Sequence, residues 1–98
     1  MWVITKHEHI CTLTYRITGN TALVNVWYEI DGKTHSVLGM GVPWEKETLT
    51  FTGESYKIHA KILTGNYLLV EVFKDSELID SAEAYGEFAY ASVEGTIH

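Results

Sequence analysis

Cysteine and proline each occur once in the 98 residues, as Cys11 and Pro43. A lone cysteine makes no intramolecular bridge, so stability has to come from packing, and a chain of this length can bury a modest core unaided. No apolar run approaches the roughly 18 residues that a transmembrane helix needs, so this chain is not expected to insert into a membrane. No segment carries a 3.6-residue apolar stripe of helical length. Basic residues are scarce: seven Lys and Arg stand against 13 Asp and Glu, a formal charge of −6, which argues against nucleic acid as a partner. A Gly-rich phosphate loop, a nucleophile–base pair and a dinucleotide fingerprint are all missing. The chain therefore reads as a non-enzyme, with no catalytic residues, cofactor or metal expected.

The residues that are present favour strands. Val, Ile and Thr total 27, and twelve more residues are aromatic. Hydrophobic residues at 46% and a mean hydropathy of −0.01 exclude a disordered tail. Turn signals recur at short intervals, at Gly19-Asn20, Asp31-Gly32, Gly65-Asn66 and Asp75-Ser76.

About seven main strands are predicted from eight candidate segments, in one domain spanning residues 1–98. Residues 1–9 form an N-terminal arm or an edge strand. In Ile10–Ile17, Cys11, Leu13, Tyr15 and Ile17 share a face. In Ala22–Ile30, Ala22, Val24, Val26, Tyr28 and Ile30 point inward. Asp31-Gly32 then turns the chain into Thr34–Val42. Leu49 and Phe51 are the inward pair of Glu47–Phe51. Ser55–Leu63 alternates most clearly, with Tyr56, Ile58, Ala60 and Ile62 inward and Lys57, His59 and Lys61 outward. Tyr67–Phe73 follows, and Leu78–Tyr85 with Phe88–Val93 closes the chain as a hairpin around Gly86. Many short strands at this spacing mean a β-sandwich or a small barrel.

Several segments, in order, resemble the MmpS-type domain, a family of mycobacterial transport accessory proteins. Leu13-Thr14-Tyr15-Arg16-Ile17-Thr18-Gly19 is similar to that family's VTYEVTG opening. Val42-Pro43-Trp44-Glu45-Lys46 is similar to its central LPWSK motif. Ser55-Tyr56-Lys57-Ile58-His59-Ala60-Lys61 falls where the family has a strand ending in SAQ, and Leu69 to Val93 tracks its last strand pairs, including Gly86 and Phe88. The resemblance implies an immunoglobulin-like β-sandwich and no catalytic residues. In the family such domains assist RND-type exporters from outside the cytoplasm, held by one membrane anchor. The family's two late cysteines fall here on Val70 and Val93, and its anchor helix has no counterpart.

These departures, the lone cysteine and a start without a basic segment before an apolar one imply a soluble version in a reducing interior. The expected location is the cytoplasm, or outside it if a signal or anchor precedes this stretch.

The whole −6 lies in residues 75–98, where Asp75, Glu77, Asp80, Glu83, Glu87 and Glu94 meet no Lys or Arg. Solubility and protection of sheet edges explain such a bias, as does a face that attracts a basic partner. Glu83, Tyr85 and Glu87 share a parity opposite Ala82 and Ala84. Tyr67 joins their acidic, aromatic strip if the last strands pair with Tyr67–Phe73. Trp44, beside Pro43, either plugs one end of the sandwich or offers an aromatic anchor. His7 and His9 have the only metal-like spacing, but zinc wants three or four ligands and no further ligand is evident. Cys11 lies on the apolar parity and reads as core.

The expected function is a non-catalytic interaction module that binds a protein partner or itself as a homodimer. Phe73, Tyr85 and Phe88 offer aromatic surface for such an interface. The alternatives are a small-molecule binder with a pocket between sheets or subunits, and an exporter accessory.

Overall fold

The computed structural model describes residues 10–98. The described residues hold eight strands and no helix: β1 (Ile10–Gly19), β2 (Leu23–Ile30), β3 (Lys33–Met40), β4 (Trp44–Phe51), β5 (Ser55–Thr64), β6 (Tyr67–Lys74), β7 (Glu77–Tyr85) and β8 (Tyr90–Thr96). They form two antiparallel sheets packed as a sandwich, with eight strands instead of about seven. The first sheet has the order β4-β1-β6-β7 and the second β3-β2-β5-β8. No described helix is long and apolar enough to cross a membrane. The expected arm at residues 1–9, with His7 and His9, lies outside the described residues.

Period-two alternation builds the core. Cys11, Leu13, Tyr15 and Ile17 of β1 are buried, as are Tyr56, Ile58, Ala60 and Ile62 of β5 and Leu68, Val70 and Val72 of β6. Each buried Leu, Ile or Val among them contributes about 1.5–3 kcal/mol when it leaves water. Val70 and Val93 are both buried, on the inner faces of opposite sheets. A one-residue slip in β5 would instead bury Lys57, His59 and Lys61, which the packing forbids.

Two tyrosines bind the sheets to each other in opposite directions. Tyr15 of the first sheet donates its hydroxyl to the Glu29 carbonyl at 2.8 Å and accepts the Lys57 N–H at 3.1 Å. Glu29 and Lys57 face each other across β2 and β5, so the phenol ties into the end of that ladder. Tyr56 of the second sheet donates to Asp80 Oδ2 of β7 at 2.8 Å. Burial is the main cause that pushes both phenols up to about 12. Gly95 of β8 lies opposite Tyr56, and a Cβ there would stand 2.5 Å from the Tyr56 hydroxyl. Only glycine leaves room for that ring.

Two connections are tight hairpins. Asp31 and Gly32, with φ of 52° and 74°, join β2 to β3. Asp75 and Ser76, with φ of 49° and 70°, join β6 to β7. Asp75 offsets its left-handed backbone with a reciprocal pair: its N–H donates to the Thr12 carbonyl and its Oδ1 accepts the Thr12 N–H, both at 2.9 Å.

Three expectations fail for physical reasons. Leu49 and Phe51 point outward, with 67% and 41% of their surface exposed, while Thr50 is buried. Pairing with β1 decides this: Cys11 faces Thr50 and Leu13 faces Thr48, so the inward parity of β1 draws threonines inward. Ala22 is exposed, because a register shift between Leu23 and Val24 breaks the alternation where β2 begins. The last two strands are not a hairpin. β7 belongs to the first sheet and β8 to the second. Gly86 and Phe88, with φ of 101° and 64°, carry the chain across, and the Ala89 carbonyl accepts the Ile62 N–H at 2.8 Å.

Candidate functional site

With the core filled, chemistry is left to the two outer faces. On the first sheet, Tyr67 of β6 stands opposite Tyr85 of β7, and Leu69 opposite Glu83. Ala84 is buried and Ala82 packs against the core, so Glu83 and Tyr85 project outward. Both phenols donate to Glu83 Oε2, Tyr67 at 2.8 Å and Tyr85 at 2.9 Å. Their ring centroids are 5.2 Å apart. Hydrogen bonds from Tyr67 and then Tyr85 hold the Glu83 carboxyl below its usual range, and the same bonds push both phenols up.

The ends of these strands are tied down. The Asn66 carbonyl accepts the Gly86 N–H at 2.9 Å, and the Tyr67 carbonyl accepts the Asn20 N–H at 3.2 Å. Asn20 Nδ2 also donates to Asn66 Oδ1 at 2.5 Å. The tyrosine pair therefore stands on a fixed base.

The rest of this face is acidic with an apolar margin. Glu45, Glu47, Glu71 and Glu83 share it with Arg16. The Arg16 guanidinium lies 4.5 Å from the centre of the Phe73 ring, and its Nε is 3.6 Å from Glu45. Leu49, Phe51 and Leu78 stay exposed along the rim.

Of the five residues expected to form a contact surface, the structure gathers three: Tyr67, Glu83 and Tyr85. Trp44 is not among them. It faces Ile17 on the inner side of β4, half-buried, with its ring 5.3 Å from Tyr28. The chain reaches it through Val42 and Pro43 as it crosses between sheets, so Trp44 plugs that end of the sandwich. Glu87 also leaves the strip. It is exposed beyond Gly86, where the chain has already turned toward the second sheet.

The outer face of the second sheet holds a group that strand-by-strand reading misses. Trp27 of β2, His59 of β5 and Tyr90 of β8 form a continuous line of rings. Trp27 and His59 are 5.4 Å apart between centroids, and His59 and Tyr90 are 5.0 Å apart. The signal in the sequence was their outward parity, between Val26 and Tyr28, between Ile58 and Ala60, and beside Ala91. Only the β2–β5–β8 register brings them together.

One cleft adjoins the line at Trp27, and a second lies beyond it, sharing Glu29 and Lys57 with the first. The first, of about 150 Å³, is lined by Trp27, Tyr28, Glu29, Thr34 and Lys57. The other, of about 280 Å³, runs past Ser55, Tyr56, Glu94, Gly95 and Thr96.

His35, His59 and Cys11 are placed by the same geometry. His35 stacks on Tyr28 at 5.3 Å on the inner side, whereas His59 is outside, so one sheet separates the two imidazoles. Among the described residues, no three His, Cys, Asp or Glu side chains converge on a common point. Cys11 is buried, and burial followed by the Asp75 charge pushes its thiol up, away from the reactive thiolate. No protein-family model matches this chain, and comparison with curated proteins finds no match either.

Proposed function

We propose that this domain is a non-catalytic interaction module that docks a basic protein partner on the outer face of its first sheet. The observation that carries the reading is the pair of exposed tyrosines clamped by one carboxylate. Tyr85 is 69% exposed, yet its ring and hydroxyl are both held. Such a side chain presents large amphipathic area and loses little freedom on binding. The carboxylates around it supply long-range attraction for cations and set the orientation of approach. Burial of the Cys11 thiol supports a packing role for that side chain.

A second copy of the chain is a poorer occupant of this face, since it would bring like carboxylates together. A homodimer, if formed, is therefore expected to use another surface.

The test is titration of isotope-labelled protein with an arginine-rich peptide at low and at physiological salt. Amide shifts are expected to centre on Tyr67, Leu69, Glu83 and Tyr85, and to shrink as salt screens the charges. Glu83→Gln should weaken them. Shifts centred on Trp27, His59 and Tyr90 instead would remove the first sheet as the docking face.

A further inference from the structure

We propose that the outer face of the second sheet binds a neutral saccharide chain laid across β2, β5 and β8 over Trp27, His59 and Tyr90. Three features of the face lead there: its rings, its charge and its shape.

The rings come first. Alternation sends all three outward, away from a core that is filled without them. Tyr90 remains 64% exposed, while Trp27 and His59 are half-covered. An aromatic side chain left on an outer face exposes apolar area that a ligand can cover. Steps of 5.4 and 5.0 Å from ring to ring are close to the length of one pyranose unit along an extended chain. The rings are tilted to each other by 59° and 32°. They therefore suit a chain that turns about its own axis as it crosses a twisted sheet.

Charge narrows the ligand class. Lys57 and Lys61 on this face are matched by Glu29 and Glu94, and Lys57 Nζ lies 4.0 Å from Glu94. A polyanion would meet the two carboxylates, and a polycation the two amines. Single-stranded nucleic acid would stack on the rings, but its phosphates need a positive groove. This face is balanced, in a molecule of charge −6. A sugar needs no net charge. One face of a pyranose presents C–H groups to an aromatic ring, and its hydroxyls point outward at the rim. Those hydroxyls find both kinds of partner here: the Glu29 carboxylate accepts, the Lys57 amine donates, and the Thr34 hydroxyl does either.

The shape is the third feature. The clefts are shallow and joined through Glu29 and Lys57. A chain passing over the face fits them better than one enclosed monosaccharide. Open sites of this kind bury little of a ligand and bind it weakly.

The experiment titrates the isotope-labelled protein with cellohexaose, mannohexaose and laminarihexaose, and with hexathymidylate as the nucleic-acid arm. At least one hexasaccharide is expected to shift the Trp27 indole, His59 and Tyr90 signals with a saturating curve. Trp27→Ala and Tyr90→Ser should each weaken that binding about tenfold or more, with the far-ultraviolet circular dichroism unchanged. Tyr90 is exposed, so its variant keeps the test sound even if Trp27→Ala folds poorly. Three results would each overturn the proposal: no hexasaccharide moving these signals at about 10 mM, hexathymidylate binding more tightly than any sugar, or sugar binding that both variants retain.

Discussion

The two outer faces follow the same alternation and carry opposite chemistry. The first sheet displays Glu45, Glu47, Glu71 and Glu83 against Arg16, with tyrosines fixed by a carboxylate. The second displays Trp27, His59 and Tyr90 in line, with its lysines and glutamates in balance. On the first face the polar group holds the rings in place. On the second the rings hold one another and leave the polar groups beside them. A sandwich of this size thus separates a charge-steered surface from a stacking surface, with only one shared core between them.

The sharpest way to probe that separation is to damage what the faces share. Gly95→Ala should have the largest effect, about 1–3 kcal/mol of lost stability, because the new methyl displaces Tyr56 and loosens its bond to Asp80. Chemical denaturation would measure it, and both faces should fail together. Tyr15→Phe comes next. It leaves the Glu29 carbonyl and the Lys57 N–H without their phenol, at a cost of about 1–2 kcal/mol. Since Glu29 and Lys57 join the two clefts, the second face should loosen more than the first, and local hydrogen exchange would read the difference.

A third test uses alkali. Tyr15 and Tyr56 have folded-state values of about 12, raised from 10.0, so the folded protein holds these protons more tightly than the unfolded chain. Their contribution is full below pH 10 and falls as pH rises toward 12. Denaturation midpoints should therefore drop across that window, and the Tyr15→Phe variant should show a shallower drop.

The smallest effect separates the faces most cleanly. In Glu83→Gln, Tyr67 and Tyr85 lose the charged acceptor that raises them. Ultraviolet titration should show the two phenols ionising at lower pH. The Trp27–His59–Tyr90 signals should not move.

Much of this was legible in the chain. The alternation of β5 fixes its buried side, and Ala82 and Ala84 already set Glu83 and Tyr85 outward. What was not legible depends on partners. In β4, Leu49 and Phe51 alternate with threonines, and hydrophobicity alone favours the wrong side. The β1 register then overrides it at an edge strand. Gly86 signals a turn, but a turn does not reveal whether the next strand stays in the same sheet. The line of rings draws on β2, β5 and β8, which are never consecutive, so no local pattern could announce it.

The connectivity also bears on how the chain reaches this state. Among the described strands, only β2–β3 and β6–β7 are joined within a sheet; the other five connections pass from one sheet to the other. Neither sheet can be completed from a contiguous stretch, because β8 must find β5 across the two strands between them. Loop closure has to precede most of the pairing that rewards it. Refolding should accordingly take milliseconds to seconds, with the Asp31-Gly32 and Asp75-Ser76 hairpins as the pieces of the described sheets that can form early.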